Sequence, residues 1–140
     1  GYGGDPPRRL AERVSLYYGA RSARYLAGVD DFQAAGAEVH LATDDGSEGH
    51  KGYVTALLEQ SGQPDLLIGC GPDPMLHALA SMAARTGTPC HVSLETPMAC
   101  GLGICFSCVV PVRTAGGVDY KRCCIDGPVF DAASVDWGHG

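Results

Sequence analysis

Apolar residues along this chain fall in short blocks whose period switches between strand and helix spacing. Residues 14–18 (VSLYY) are rich in β-branched and aromatic side chains and stop at Gly19, which predicts a strand. Residues 22–32 carry a weak helical pattern, with Ser22 placed to cap it. Residues 37–43 (AEVHLAT) predict a second strand, and Gly36 before them suits a helix end. A polar, glycine-rich loop follows at 44–52 (DDGSEGHKG), then a short helix at 53–60 closed by Ser61-Gly62. Residues 65–69 (DLLIG) form a continuous apolar run, as in a strand covered on both faces. The clearest helix spans 73–85. Asp73 stands at its N-cap and Pro74 at the first helical position, and Met75, Leu76, Leu79 and Met82 make a core stripe rather than a cofactor box. Residues 88–94 (TPCHVSL) predict another strand.

Strands separated by helices indicate parallel βα units and an α/β fold with a doubly wound parallel sheet. Such sheets take ligands beyond the carboxyl ends of their strands, which places residues 43–52 and 69–74 at the ligand edge. After Glu95 the helical period stops. Residues 109–112 and 118–120 are β-like, with Ala115-Gly116-Gly117 able to turn between them. The expected organisation is therefore an α/β domain over 1–95 and a small β-rich lobe over 96–140.

Composition narrows the function classes. The chain has 140 residues, is 45% hydrophobic and 19% charged, and carries a net charge of -6. That apolar content excludes a disordered chain. No stretch approaches the ~18 apolar residues of a membrane helix. The acidic balance argues against nucleic-acid binding, which needs clustered Lys and Arg. Arg8, Arg9 and Arg13 read as a solvated helix face. The start, Gly1-Tyr2-Gly3-Gly4 without Met, reads as that of a fragment, and no secretory signal pattern is present. A cytoplasmic location is expected.

The cysteines change the picture most. There are seven, an odd number, and five fall between Cys100 and Cys124. Clustered thiols in an intracellular chain favour metal over disulfides. Cys100-x4-Cys105-x2-Cys108, with Cys123-Cys124 some fifteen residues on, matches the plant-type [2Fe-2S] pattern. A cluster needs four soft thiolates and backbone N–H groups turned toward sulfur. Gly101 and Gly103 let the loop wrap closely, and Ile104 and Phe106 are placed to shield the centre. Zinc or free thiols are the alternatives, although structural zinc sites usually use two short knuckles. Adjacent strand residues face opposite ways, so Cys123 and Cys124 cannot readily both ligate, and spacing does not choose between them.

Residues 98–108 (MACGLGICFSC), followed by 120–130 (YKRCCIDGPVF), resemble the electron-transfer subunit of NAD-dependent dihydroorotate dehydrogenase. The tail at 131–137 and Ala42-Thr43-Asp44-Asp45-Gly46-Ser47 fit the same family. That family places its last ligand directly before an x-Asp-Gly-Pro step. The resemblance therefore implies Cys100, Cys105, Cys108 and Cys124 as metal ligands, with Cys123 a bystander. Gly69-Cys70-Gly71-Pro72-Asp73-Pro74-Met75 resembles the Cys-Gly-Pro turn of the wider ferredoxin–NADP reductase superfamily, which lies beside the nicotinamide. It implies cofactor contacts from Gly69, Cys70, Gly71, Pro72 and Met75, with Thr43, Asp44, Gly46 and Ser47 toward the ribose.

What the family implies as a whole is electron transfer in pyrimidine biosynthesis. Electrons would pass from the FMN of a separate dihydroorotate dehydrogenase catalytic subunit, through a [2Fe-2S] cluster and FAD, to NAD, in a hetero-oligomer. The family's flavin-binding barrel and its first glycine-rich βα turn have no counterpart in this sequence, and Thr96-Pro97 stands where Arg is common before Met-Ala-Cys. The α/β domain is thus expected to be incomplete at its N-terminus. Related readings are the small subunit of an NAD(P)H–ferredoxin, sulfite reductase or hydrogenase diaphorase system; a reading of another class is a non-catalytic zinc module. Cys90, in a strand of buried character, reads as core.

Overall fold

The computed structural model describes residues 11–138 and divides them into two compact units, with the boundary between Ser61 and Gly62. Arg8, Arg9 and the opening glycines lie outside the described residues. Arg13 belongs to no helix. It precedes the first strand and pairs with Glu38 at 2.7 Å, on the neighbouring strand.

The first unit is a three-stranded parallel sheet of β1 (Ser15–Ala20), β2 (Glu38–Thr43) and the short β3 (His50–Lys51). Helix α1 (Val29–Ala34) links β1 to β2, and α2 (Val54–Glu59) follows β3. The helix expected at 22–32 is broken. Residues Ala23–Tyr25 form one 3-10 turn, and Gly28 then takes a left-handed φ of 69° as the N-cap of α1. A residue in that conformation cannot continue a right-handed helix, and glycine adopts it without steric penalty. Helix α2 approaches β1 at Gly19, where a Cβ would stand 2.9 Å from that of Val54.

The second unit holds β4 (Leu67–Cys70) parallel to β5 (Cys90–Ser93), and β8 (Val129–Asp131) antiparallel to β5. The strand at 129–131 has too few residues to show a period and was not foreseen. Helix α3 (Asp73–Thr86) runs between β4 and β5 and buries Leu76, Leu79, Ala80, Met82 and Ala83. Met75, expected in that stripe, is only half-buried. Gly69 of β4 admits α3 closely, since a Cβ there would meet Leu79 and Leu76. Pro72, in extended conformation, is the N-cap instead of Asp73, and its carbonyl accepts from Met75 and Leu76 N–H at 2.9 and 3.1 Å. Asp73 makes no capping bond and sits inside the first turn, where its charge suits the helix dipole.

The remainder of this unit is an antiparallel hairpin of β6 (Val109–Thr114) and β7 (Gly117–Arg122). The tail packs along β6: Arg113 N–H donates to Ser134 O at 2.7 Å and Asp136 N–H to Pro111 O at 2.9 Å. Trp137 stacks on His77 of α3, centroids 5.5 Å apart, so tail and helix are tied together within the unit. Among the described residues no helix is long and apolar enough to cross a membrane.

Leu76 is fully buried between α3 and β4. Leu76→Ala is expected to remove about 2–5 kcal/mol of stability, read as a lower urea midpoint by Trp137 fluorescence. In the first unit, a methyl at Gly49 (φ 63°) would run into the backbone carbonyl of Leu41. Gly49→Ala should therefore destabilise by about 2 kcal/mol or more, seen as lost amide protection across residues 43–52. An unchanged exchange pattern would contradict the packing described for that loop.

Candidate metal centre

The hairpin register builds the thiol site. Val109 pairs with Arg122, so Cys108 lies just before β6 and Cys123-Cys124 just after β7. Cys123 N–H donates to Cys108 O at 2.9 Å, extending the ladder by one step. Residues 123–126 then form a turn closed on Arg122 O, and the chain reversal sends the two neighbouring thiols different ways. Cys123 is 2% exposed and its Sγ lies 3.8 Å from Leu94 O, on the core side. Cys124 turns the other way and meets Cys108. Its N–H and thiol hydrogen-bond to the Cys108 sulfur and hold that thiol below its ordinary value. The same contact pushes Cys124 up, since its proton is the one shared.

Cys100, Cys105 and Cys108 sit on an irregular loop turned by left-handed residues: Gly101 at φ 67°, Gly103 at 76° and Phe106 at 54°. The turns aim backbone N–H groups at sulfur. Cys100 is lowered to about 6 by the N–H groups of Cys105, Leu102 and Ile104 and by the Cys105 thiol; Leu102 N lies 3.3 Å from its Sγ. Donors around a thiolate favour the charged form, which is the metal-binding form. Cys100 also influences the charge of both Cys108 and Cys124, so Cys100, Cys105, Cys108 and Cys124 share one neighbourhood. They form adjacent pairs, 100 with 105 and 108 with 124; among the described residues no three donors are grouped as a metal-binding set. All seven cysteines are unbridged.

The residues suit an iron–sulfur cluster by donor chemistry and by cradle. Two of the donors, Cys100 and Cys108, are held toward the thiolate form, and the loop is glycine-turned with N–H groups facing sulfur. At Gly103 a Cβ would collide with the Ile125 side chain, so the loop and the Cys124 turn pack directly. Ile104 and Phe106 do not fold over the thiols. They are 75% and 62% exposed and, with Met98, Leu102 and Ile125, make an apolar outer surface. Sequence reasoning passed over Arg122, whose Nη1 donates to Gly103 O at 2.8 Å. No periodicity marks such a link across 19 residues.

The expected nucleotide residues fall in separate units. In the second unit, Gly69 is buried and Cys70 exposed at the carboxyl end of β4. Gly71 has φ 153°, and the Met75 side chain lies where its Cβ would be, at 2.6 Å. Pro72 then opens α3. In the first unit, Thr43 is fully buried. Its hydroxyl donates to Glu48 O at 2.7 Å and accepts from Glu48 N at 3.1 Å, holding the loop closed. Asp45 accepts from Ser47 N–H and hydroxyl at 2.9 and 2.6 Å, which keep its carboxyl below the usual range. The Ser47 hydroxyl in turn accepts from Ala23 N at 2.8 Å. Gly46 is left-handed, φ 75°, over the Lys51 stem, and Asp44 is exposed. Cys90 is buried, and its thiol is pushed up by burial and by Asp131.

Comparison with known proteins agrees with this geometry. Residues 95–136 match the family described as the iron-sulfur cluster binding domain of dihydroorotate dehydrogenase B. The chain is 42% identical over 139 residues to the electron transfer subunit of dihydroorotate dehydrogenase B (NAD(+)) of Caldanaerobacter subterraneus subsp. tengcongensis, covering 96% of this chain and 56% of that one. Against the same subunit of Desulforamulus reducens identity is 39% over 128 residues, covering 89% and 49%. Against that of Bacillus caldolyticus it is 48% over 107 residues, covering 76% and 40%. The chain thus spans about half the length of these relatives. A solved structure of an NADH-dependent reduced ferredoxin-NADP oxidoreductase, described for flavin-based electron bifurcation, superposes with a TM-score of 0.73 at 34% identity, covering 89% of this chain and 45% of that one. The fold is therefore the α/β fold of that reductase group with a cysteine-bearing lobe; residues 95–136 carry the iron-sulfur cluster binding domain of dihydroorotate dehydrogenase B, and the chain matches the electron transfer subunits of that enzyme over about half their length.

Proposed function

We propose that this chain is the nucleotide- and cluster-bearing part of an electron transfer subunit that links a dihydroorotate dehydrogenase catalytic subunit to NAD in the cytoplasm. When bound, a [2Fe-2S] cluster and FAD supply the single-electron and hydride chemistry between the FMN of that partner and the nicotinamide. The observation that carries this reading is the two thiol pairs, Cys100 with Cys105 on the glycine-turned loop and Cys108 with Cys124 at the end of the β6–β7 hairpin. Cys100, Cys105, Cys108 and Cys124 hold the metal, and Cys123 serves the core. The N–H groups on Cys100 keep a ligand in its thiolate form without a nearby cation. The exposed apolar rim of Met98, Leu102, Ile104, Phe106 and Ile125 suits a hetero-oligomeric contact over the site.

The functional division follows the same logic. Residues 1–95 serve the nucleotide and 96–140 the cluster. Gly69, Cys70, Gly71, Pro72 and Met75 form the turn at the end of a parallel strand and the start of α3, where backbone approaches a flat ring and helix N–H groups face an anion. Thr43, Gly46 and Ser47 shape the loop that presents Asp44, a carboxylate suited to a ribose hydroxyl. A second reading, a subunit of a ferredoxin-NADP oxidoreductase, is favoured by the 34% identical reductase structure. Copurification with an FMN-containing dihydroorotate dehydrogenase separates the two.

The direct test is anaerobic reconstitution with iron and sulfide. The chain should turn reddish-brown with visible bands that bleach on dithionite. Cys124→Ser should lose most of the iron while Cys123→Ser keeps it. The opposite result would overturn the ligand assignment, and a colourless chain holding a single zinc would sink the cluster reading.

A further inference from the structure

Arg122 ends β7, two residues before Cys124, and its guanidinium reaches back across the thiol loop. Its Nη1 donates to Gly103 O at 2.8 Å. Its planar face covers the Phe106 ring, 5.0 Å from the centroid. Its Nε lies 3.6 Å from the Asp126 carboxylate, which also accepts from the Arg122 backbone N–H at 2.8 Å. Asp126 N–H completes the turn by donating to Arg122 O at 2.7 Å. One side chain therefore touches the loop between Cys100 and Cys105, the loop between Cys105 and Cys108, and the turn that carries Cys124.

Each contact falls where the backbone needs support. Gly103 lies among the left-handed turns that aim N–H groups at Cys100. Phe106 is the only non-glycine among the described residues with positive φ, a conformation that a bulky side chain holds only when its surroundings enforce it. The guanidinium over its ring is one such surrounding contact. Arg122 is also part-buried, at 29% side-chain exposure, so these bonds are less screened than those of a surface pair. A lysine cannot reproduce the set, because a planar fork can bond a carbonyl and a carboxylate along different edges while its face covers a ring.

We propose that Arg122 is a positioning residue for the cluster: a three-way clamp that locks the loop bearing Cys100, Cys105 and Cys108 to the turn bearing Cys124. This rests on those cysteines being the ligands. The clamp acts on the ligand backbone, not on the metal, and so governs how firmly the cluster is held and how its sulfurs are oriented. Partners that orient ligands in this way are typically worth about 10- to 100-fold in metal retention.

The test compares the anaerobically reconstituted 140-residue chain with its Arg122→Ala, Arg122→Lys and Asp126→Asn variants. Iron release to a ferrous chelator, visible circular dichroism and the electron paramagnetic resonance of the dithionite-reduced protein are recorded for each. Arg122→Ala is expected to release iron about 10-fold faster or more, with altered dichroism and broadened resonance. Arg122→Lys keeps the charge but should resemble Ala. Asp126→Asn keeps the Arg122 contacts to Gly103 and Phe106 and should fall between, which tests the clamp even if the Ala variant fails to fold. Wild-type release rates and spectra in all variants overturn the clamp alone. Full rescue by lysine also overturns it, because charge and not the fork would then suffice. A wild-type chain that takes up no iron overturns the ligand reading and the clamp with it.

Discussion

The register of the β6–β7 hairpin is the constraint on which the thiol site depends. The turn at 123–126 follows directly on β7, so a slip by one residue would shift Cys123 and Cys124 past Cys108 and change which of them meets it. The observed pairing of Val109 with Arg122 brings Cys108 beside Cys124 and leaves Cys123 against the core at Leu94. Strand β6 is also supported from outside the hairpin. The tail bonds to β6 through Arg113 and Asp136, and Val112 bridges to Val135. The Arg113 guanidinium, 3.2 Å from the buried Asp136, adds an ion pair to the same edge. A segment with no cysteine of its own thus braces the outer edge of the hairpin.

The loop solves a different problem. A thiolate partly withdrawn from solvent needs stabilisation, and Cys100 takes it from backbone N–H groups instead of side-chain cations. Aiming several N–H groups at one sulfur requires left-handed backbone at close intervals, which Gly101 and Gly103 accept without steric penalty. Phe106 takes the same geometry against its preference, and the Arg122 contact lies over it. The outward side of the loop is correspondingly apolar. With the backbone polar groups turned in toward sulfur, Leu102, Ile104 and Phe106 are left pointing out. Inward donors and an outward apolar rim are two consequences of one backbone path.

Much of this was legible along the chain. Parallel βα order followed from short apolar blocks separated by helical stripes. The run at 65–69, expected to be covered on both faces, is buried on one. Leu67 and Gly69 face α3 and β5 while Leu66 and Ile68 are exposed, a difference of packing that an unbroken apolar run does not record. Helix α3 was legible from its apolar stripe, although its cap is Pro72 and not Asp73. The thiol loop was legible because Cys100, Cys105 and Cys108 stand close together in the chain. The broken helix at 22–32 was less so. Gly28 is permitted within a weak helical pattern, and only its left-handed φ ends it. Thr43 read as a ligand-edge residue, yet its hydroxyl is engaged by Glu48, a bond that exists only once the loop has closed.

The sequence by itself determined the alternation of strand and helix, the cysteine pattern and the places where glycine frees the backbone, since these depend on neighbours within a turn or two. Tertiary structure alone decided three matters: that β8 joins β5, that Ile104 and Phe106 face outward, and that Arg122 reaches Gly103. Each rests on groups far apart in the chain, whose interaction counts only after the entropy of bringing them together has been overcome. Local pattern carries no record of such pairings.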